Sequence, residues 1–451
     1  MLTNNPLNNQ LQQYIALNPQ AIGQQISLLE ESLREGQISI WNKAFDLLPA
    51  VTFIDSGLHQ KYARLAEEYH QLLRKLLVLY RERPEVRSWF SFPPLVESLC
   101  MLDPGYDNEI VICRFDSYPT EDGFKILENN TDCPAGVLFT HHHRQAITEL
   151  PLISSFLRDN VQVAGTLNQS DEAFFHALLQ AHENRTGRQI SKAFCILQPE
   201  GKISAEVKLM QQVLEGMGIV CVIADPGSLT YKNGQLYHEQ TAIEVIWNKI
   251  NTCYFDEMLT QPGRTAALIR AICENKVTHV NSFASRYVTE SKRSLALMKD
   301  ARFRHLFTAE ENALIEKLLP WACAISEAEV SYRGSRLSAV AHALANKDAF
   351  VLKMPYDIRG EGVILGKDST DEVWRQAVEN ARKNRSILQE YIAIQQCPVY
   401  SPNTQNLANY NMSLDFFMYN GKFAGFGSKI SKNLKVNIFQ GGSKNIILPI
   451  L

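Results

Sequence analysis

The sequence contains no Cys-x-x-Cys pair, no Gly-x-Gly-x-x-Gly fingerprint and no apolar run approaching the ~18 residues of a spanning helix. Each absence removes a class of function. Without paired-cysteine spacing there is no zinc ribbon or thioredoxin-like redox motif. The nine cysteines, scattered from Cys100 to Cys397, read as reduced and mostly buried thiols. Without the glycine fingerprint, dinucleotide binding is disfavoured. The N-terminal stretch MLTNNPLNNQLQQYIALNPQ lacks the basic start and apolar core of a signal peptide. The expectation is therefore a cytoplasmic chain with no membrane partner. Charge excess is missing too: 45 Lys and Arg against 48 Asp and Glu leave a formal charge of −3. That argues against nucleic-acid or membrane-surface binding driven by net charge, while a local basic cleft stays open. What remains is 451 residues, 45% hydrophobic and 21% charged, an ordinary composition for a globular enzyme of two or three domains.

What is present concentrates between Glu109 and Gly136, EIVICRFDSYPTEDGFKILENNTDCPAG. Glu109 to Asp116 and Gly123 to Leu127 are rich in Ile, Val and Phe, as strands are. The Pro-Thr-Glu-Asp-Gly cluster between them is turn chemistry. Alternation of side chains puts Arg114 and Asp116 on one face of the first arm, and Glu128 and Asn130 on one face of the second. A hairpin symmetric about Asp122 sets Arg114 opposite Asn130 and Asp116 opposite Glu128, neighbours roughly 5 Å apart. Two carboxylates, an amide oxygen and a guanidinium then share one patch. Such a set suits Mg²⁺, which is held by one or two carboxylates together with substrate phosphates, and the arginine could grip a phosphoryl oxygen. The competing reading of the hairpin alone is an exposed ribbon whose Arg/Asp and Glu/Asn pairs hold only each other.

Residues 1 to about 100 read as helical, with amphipathic stretches over Leu7–Ala16, Ile22–Leu33 and Leu58–Arg81, a scaffold to pack against the hairpin. Val137 to Glu149 reads as a helix carrying His141, His142 and His143. Consecutive helical positions point about 100° apart, so the triplet cannot converge on one metal. From about 160 to 285 the strands Ala193–Leu197, Gly218–Ala224, Ile243–Trp247 and Val277–Phe283 alternate with helices Ser204–Glu215 and Glu257–Glu274. A hairpin surrounds Asn233-Gly234, and the whole reads as a parallel-leaning βαβ domain.

Three phosphate-handling signals follow in order. Lys292 stands at the front of a helix over Glu290–Lys299. Lys353 ends the apolar strand Phe350-Val351-Leu352 and runs into PYDIRGEGV, whose glycines, Gly360 and Gly362, let backbone amides approach a ligand. A helix over Asp371–Asn384 leads to the strand Ile387–Ile392, whose Gln389-Glu390-Tyr391 could hold an adenine through its backbone. A hairpin about Asn420-Gly421, then Lys429, Asn437 and Gly441-Gly442, complete the series. Singly, each has a dull alternative: a solvated lysine, a weak glycine loop, an edge strand.

Taken together, these segments resemble the circularly permuted ATP-grasp ligases, and most closely the synthetase domain of the glutathionylspermidine synthetase family. That family carries Arg-x-Asp and Glu-x-Asn on one hairpin, here Arg114-Phe115-Asp116 and Glu128-Asn129-Asn130. In the permuted branch this pair precedes both ATP-binding lysines, as it does here. The resemblance implies Asp116, Glu128 and Asn130 as ligands of Mg²⁺, with two ions expected, and Arg114 as the contact of the transferring phosphoryl group. It implies Lys292 and Lys353 on ATP phosphates, Gln389, Glu390, Tyr391 and Ile392 as the adenine hinge, and Arg359, Gly360 and Gly362 in a mobile phosphate-covering loop. Two features differ. Bifunctional members carry an amidase domain ahead of the synthetase, where this sequence has a short helical region. Lys429 stands where the family tends to have an arginine, and lysine cannot make the bidentate fork.

The fold implied is α/β, a circularly permuted ATP-grasp with a helical N-terminal region and an inserted βαβ domain. Its expected parts are 1–100 (helical), 101–155 (hairpin and helix of the ATP-grasp core), 156–285 (α/β) and 286–451 (nucleotide-binding lobes). The activity implied is an ADP-forming carboxylate–amine ligase working through an acyl phosphate. Its partners would be a small-molecule carboxylate and an amine (amino acid, peptide or polyamine), with no nucleic acid; a homodimer is assumed, because nothing in the sequence marks the oligomeric state. A catalytically silent nucleotide-binding scaffold is the alternative.

Overall fold

The computed structural model describes residues 2, 5–34, 47–162, 170–261 and 263–451. Residues 1, 3, 4 and 35–46 of the expected helical region lie outside the described residues, as do 163–169 and 262 of the expected α/β domain.

The long amphipathic stretch folds as the helix Ser56–Glu82, opened by Asp55, whose side chain accepts from Leu58 N. Its apolar positions recur every three to four residues, so Tyr62, Leu65, Tyr69, Leu72, Leu73 and Leu76 share one buried face. That face underlies the hairpin Ile112–Thr120/Gly123–Asn130. Tyr62 packs edge-on to Phe124, and Tyr69 edge-on to Phe115. Tyr62 Oη donates to Gly123 O at 3.1 Å, and Tyr69 Oη to Asn129 Oδ1 at 3.0 Å. The hairpin thus has a floor, and its other face is free to carry chemistry.

Four antiparallel strands make the sheet around it, in the order Lys422–Gly427, Leu414–Tyr419, Ile112–Thr120, Gly123–Asn130. Half of the sheet comes from far along the chain. A second antiparallel sheet, Ala322–Ala324, Ile387–Glu390, Phe350–Lys353 and Val363–Leu365, carries the lysine strand and the hinge strand side by side, with Val351 opposite Gln389. A third contains Gln396–Ser401, Asn406–Met412, Lys429–Ser431 and Ser443–Lys444. In the α/β unit Ala193–Leu197 lies parallel to both Cys221–Ala224 and Thr241–Asn248, and Thr278–Val280 continues the sheet in parallel. The Asn233-Gly234 turn closes an antiparallel hairpin at the edge, both residues having positive φ as that turn requires.

Three expectations are corrected. The region before 100 is not all helix: Val51–Asp55 is a strand, paired in parallel with Ile446–Ile450. The helix expected over Glu257–Glu274 is two, Thr252–Leu259 and Ala266–Cys273, with Gly263 between them at φ 86°. Helical hydrogen bonding does not continue through a left-handed residue. The helix expected from Glu290 begins later, at Arg293, after a π-helical turn over Ser285–Thr289.

Candidate active site

The hairpin turns on two residues, Glu121 and Asp122, between paired Thr120 and Gly123. Pro119 and Thr120, expected in the turn, belong to the strand. A two-residue turn without further irregularity would set Asp116 opposite Leu127 and send Glu128 to the floor. A bulge prevents this. The register shifts past Asp116, leaving Leu127 as an extra residue, so that Asp116 faces Glu128 and Arg114 faces Asn130. The bulge has a second effect: the carbonyl of Leu127 accepts from Lys353 Nζ at 2.8 Å, tying the two antiparallel sheets together.

On the open face Arg114 Nε donates to Asp116 Oδ1 at 2.6 Å, and Asn130 Nδ2 donates to the same oxygen at 2.9 Å. Lys429 Nζ lies 2.8 Å from Asp116 Oδ2 and 2.9 Å from Asp415 Oδ2. Burial opposes ionisation of Asp116, but Arg114 and Lys429 outweigh it and hold its carboxyl well below the usual range. Glu128 is pushed up, chiefly by burial, while Lys292 at 3.5 Å pulls the other way. Asp415 rises for the same first reason. The two facing carboxylates therefore differ: Asp116 already faces two cations, and Glu128 has more room for added positive charge.

These groups stand in a cavity of about 770 Å³ between the sheets. Arg114, Asp116, Glu128, Asn130, Lys353, Arg359, Gly360, Gln389, Glu390, Tyr391, Ile392 and Lys429 all line it. Lys292 and Gly362 do not. The Lys292 ammonium is buried behind the wall, bound to Asp357 and near Glu128. Gly362 is packed so closely that a Cβ would stand 2.8 Å from Asp357 Cβ, and its amide donates to the Asp357 carboxylate rather than into the cavity. The loop's openness to a ligand therefore comes from Arg359 and Gly360, both at positive φ. It is latched from the far side, where Gln440 Nε2 donates to Arg359 O at 3.0 Å and the Arg359 guanidinium sits 4.8 Å from the Phe439 ring centre.

On the hinge strand, Glu390 N donates to Trp321 O and Tyr391 N to Ala349 O, both at 2.8 Å. The Glu390 carboxylate is held by Tyr332 and Arg333. Gln389 is buried with its Nε2 unpartnered among the described residues, a donor on the cavity wall beside Val351 and Leu365. An apolar slot with one donor suits a flat heterocycle.

Among the described residues no group of three His, Cys, Asp and Glu side chains could hold a metal. His142 instead bonds Asp171 at 2.7 Å, and burial pushes His143 down to about 3. A magnesium site is not of that kind. It uses one or two carboxylates and takes its other oxygens from phosphates and water. Asp116, Glu128 and Asn130 fit, because the Asn130 nitrogen is committed to Asp116 and its carbonyl oxygen is left as the acceptor.

Sheet order, facing carboxylates and two buried lysines converging on one hairpin define the architecture. A family model described as circularly permuted ATP-grasp type 2 matches residues 90–430. The chain belongs to that family. A glutathione synthetase-like effector from Globodera pallida matches over 96% of this chain and 97% of its own at 13% identity, with a TM-score of 0.56, a likeness of fold. A putative gamma-glutamylcysteine synthetase from Methylobacillus flagellatus matches more loosely, over 85% and 88% at 11% identity with a TM-score of 0.43. No curated protein matches the chain. No described helix of this ATP-grasp protein is long and apolar enough to cross a membrane.

Several polar residues of the ATP-grasp cavity escape the sequence reading. Asp415 lies directly opposite Asp116 across the strand pair, a relation that depends on pairing strands from distant parts of the chain. Asp357 sits inside the glycine loop and carries no motif of its own. Lys444 follows Gly441-Gly442 and lines the cavity beside Gly136, within the field of Glu206.

Proposed function

We propose that the protein is an ADP-forming carboxylate–amine ligase, activating a carboxylate with ATP as an acyl phosphate that an amine then attacks. One observation carries this reading: Arg114, Asp116, Glu128 and Asn130 share one face of a bulged hairpin, and Lys353 reaches that hairpin from the neighbouring sheet. Phosphoryl transfer is catalysed mainly by positioning and charge stabilisation, which such a corner supplies. Bound Mg²⁺, two ions in this reading, would offset charge on the phosphates. Asp116 and Glu128 would hold it with the Asn130 carbonyl oxygen. Arg114, anchored by Asp116 and donating to Ala135 O at 2.6 Å, lies where the transferring group would pass. Lys353 and Lys292 would hold the rest of the triphosphate, Lys292 on exchanging Asp357 for a phosphate oxygen. The slot beside Gln389 and the 390–392 backbone would take the adenine. The Arg359–Gly360 loop would exclude water from an acyl phosphate, which hydrolyses readily. No side-chain nucleophile is required, because the substrate carboxylate attacks the γ-phosphorus and ADP leaves.

The test is ADP release screened across amino acids, small peptides and polyamines. Amine-dependent release that falls at least about a hundredfold in Glu128→Gln supports the ligase. Binding of Mg-ATP with no ADP from any acid–amine pair identifies a silent module instead. ADP release independent of amine identifies a phosphotransferase.

A further inference from the structure

Past Arg114 the cavity continues along the Cys133–Gly136 loop toward Gln198, Lys249 and Tyr254. One residue on this wall is electrostatically unresolved. The strands Lys429–Ser431 and Ser443–Lys444 are antiparallel, with Lys429 directly opposite Lys444. Like charges so placed repel. Lys429 is compensated by Asp116 and Asp415. Lys444 is not: among the described residues its ammonium makes no ion pair and no hydrogen bond. Burial first, then Lys429, push it down to about 8, so it still carries its charge at neutral pH. The carboxylates that pull the other way are committed elsewhere. Asp415 holds Lys429, and Glu206 lies 3.5 Å from Lys249 Nζ while accepting from Gly136 N at 2.8 Å. The Lys444 ammonium points to the cavity wall, 3.5 Å from where a Cβ on Gly136 would stand.

A partly buried cation, facing a second cation and lining a ligand cavity, favours an anion on the ligand. We propose that Lys444 reads a second, non-reacting carboxylate on the acid substrate. This rests on the ligase reading, in which the reacting carboxylate lies at the Arg114–Glu128 corner and Lys444 stands further along the same wall. The substrate class is then a dicarboxylate, an acidic amino acid or a peptide with a free carboxylate. A monocarboxylate leaves Lys444 unmatched. A polyamine at this position would meet Lys444 and Lys429 as like charges.

The probes are succinate, glutarate and adipate, each against its monoamide, titrated calorimetrically into the full chain with Mg²⁺ and β,γ-imido-ATP. In the wild type at least one diacid should bind about tenfold or more tighter than its monoamide, the scale of one charge-assisted contact. In Lys444→Met that ratio should fall to within about twofold, and in Lys444→Arg most of it should survive. If Lys444→Met does not fold, Lys444→Gln takes its place and the same ratio decides. No diacid preference in the wild type overturns the proposal, and so does a preference that persists in the uncharged variant. If imido-ATP itself does not bind, the ligase reading fails and this proposal falls with it; bound nucleotide without diacid preference sinks the carboxylate subsite alone.

Discussion

Lys353 is held in the fold against its electrostatic preference, and replacing it should expose that cost. The residue is 6% exposed. Burial, its largest influence, lowers the ammonium from 10.5 to about 8, with Glu128 pulling up and Lys292 pushing down. At 1.36 kcal/mol per pKa unit, that fall is about 3 kcal/mol of destabilisation at neutral pH, where both folded and unfolded chains carry the proton. Above pH 8 the folded chain gives up its proton while the unfolded chain keeps it up to about 10.5, so the unfolded state binds more protons and stability rises with pH. Lys353→Met removes the charge in a side chain of similar reach. It also leaves Leu127 O without its 2.8 Å donor, a loss of about 1–3 kcal/mol. The net expectation is a variant no less stable than wild type at pH 7, and up to about 2 kcal/mol more stable. The wild type should then gain about 2 kcal/mol on it by pH 9.5. Urea unfolding at the two pH values reads both, and titrations of groups that do not face Lys353 cancel in the comparison. Activity should be lost throughout, as expected where a binding site is built at the expense of stability. A Lys353→Met protein less stable than wild type at pH 7, or a difference that does not change with pH, would refute the reasoning.

Three further outcomes follow from single contacts. Asp357→Asn should leave the Lys292 ammonium with Glu128 alone at 3.5 Å. The variant should melt earlier, because a buried pair has been broken, yet Mg-ATP should raise its melting temperature more than it raises that of wild type; an equal or smaller shift contradicts the exchange of Asp357 for phosphate. In Gly362→Ala the new Cβ meets Asp357 Cβ at 2.8 Å and Met354 Cβ at 3.0 Å. Overpacking of that kind costs about 1–3 kcal/mol, seen as faster proteolysis within 354–362 and weaker nucleotide binding, and unchanged cleavage there would count against it. Arg286 is fully buried and donates to the carbonyls of Asp132, Asn248 and Ile250. Arg286→Met should lose roughly 3–5 kcal/mol by denaturant unfolding, and a loss below about 1 kcal/mol would mean those carbonyls find other donors.

The hairpin was legible because its signals are local: Ile, Val and Phe in alternation, turn residues between, polar residues two apart. Its cross-strand pairs match the symmetric reading for a reason alternation cannot reveal, since a shorter turn and the extra Leu127 compensate each other. The long helix was equally plain, its face being fixed by spacing alone. Long-range pairings were what sequence could not supply. Val51–Asp55 finds its partner in Ile446–Ile450, and a short β-branched run beside long helices carries no mark of it. The Gln396–Ser401/Asn406–Met412 hairpin has no clean alternation to mark it. In the site, residues within a motif stand out in the sequence, while Asp415 and Lys444 gain meaning only from the strands laid beside them. Lys292 and Gly362 carried motif signals, but burial sets them behind the wall rather than in it.

The arrangement of charge explains why a sheet made from separated segments can hold a corner this polar. Each cation near the carboxylate pair is assigned a protein partner: Lys429 to Asp116 and Asp415, Lys292 to Asp357, Lys353 to a bulge carbonyl. Unpaired, these buried ammonium groups would cost several kcal/mol each. Yet Asp415 and Glu128 are raised by burial, so their negative charge is itself poorly stabilised. A ligand that brings both cation and anion can exchange with this set at little net electrostatic cost: its metal relieves Glu128, and its phosphates relieve the lysines. A phosphate without a metal would leave the facing carboxylates uncompensated, and a metal without phosphate would crowd the cations around Asp116. In the ligase reading the corner is matched to the two together, so Mg²⁺ and nucleotide would bind as a coupled pair.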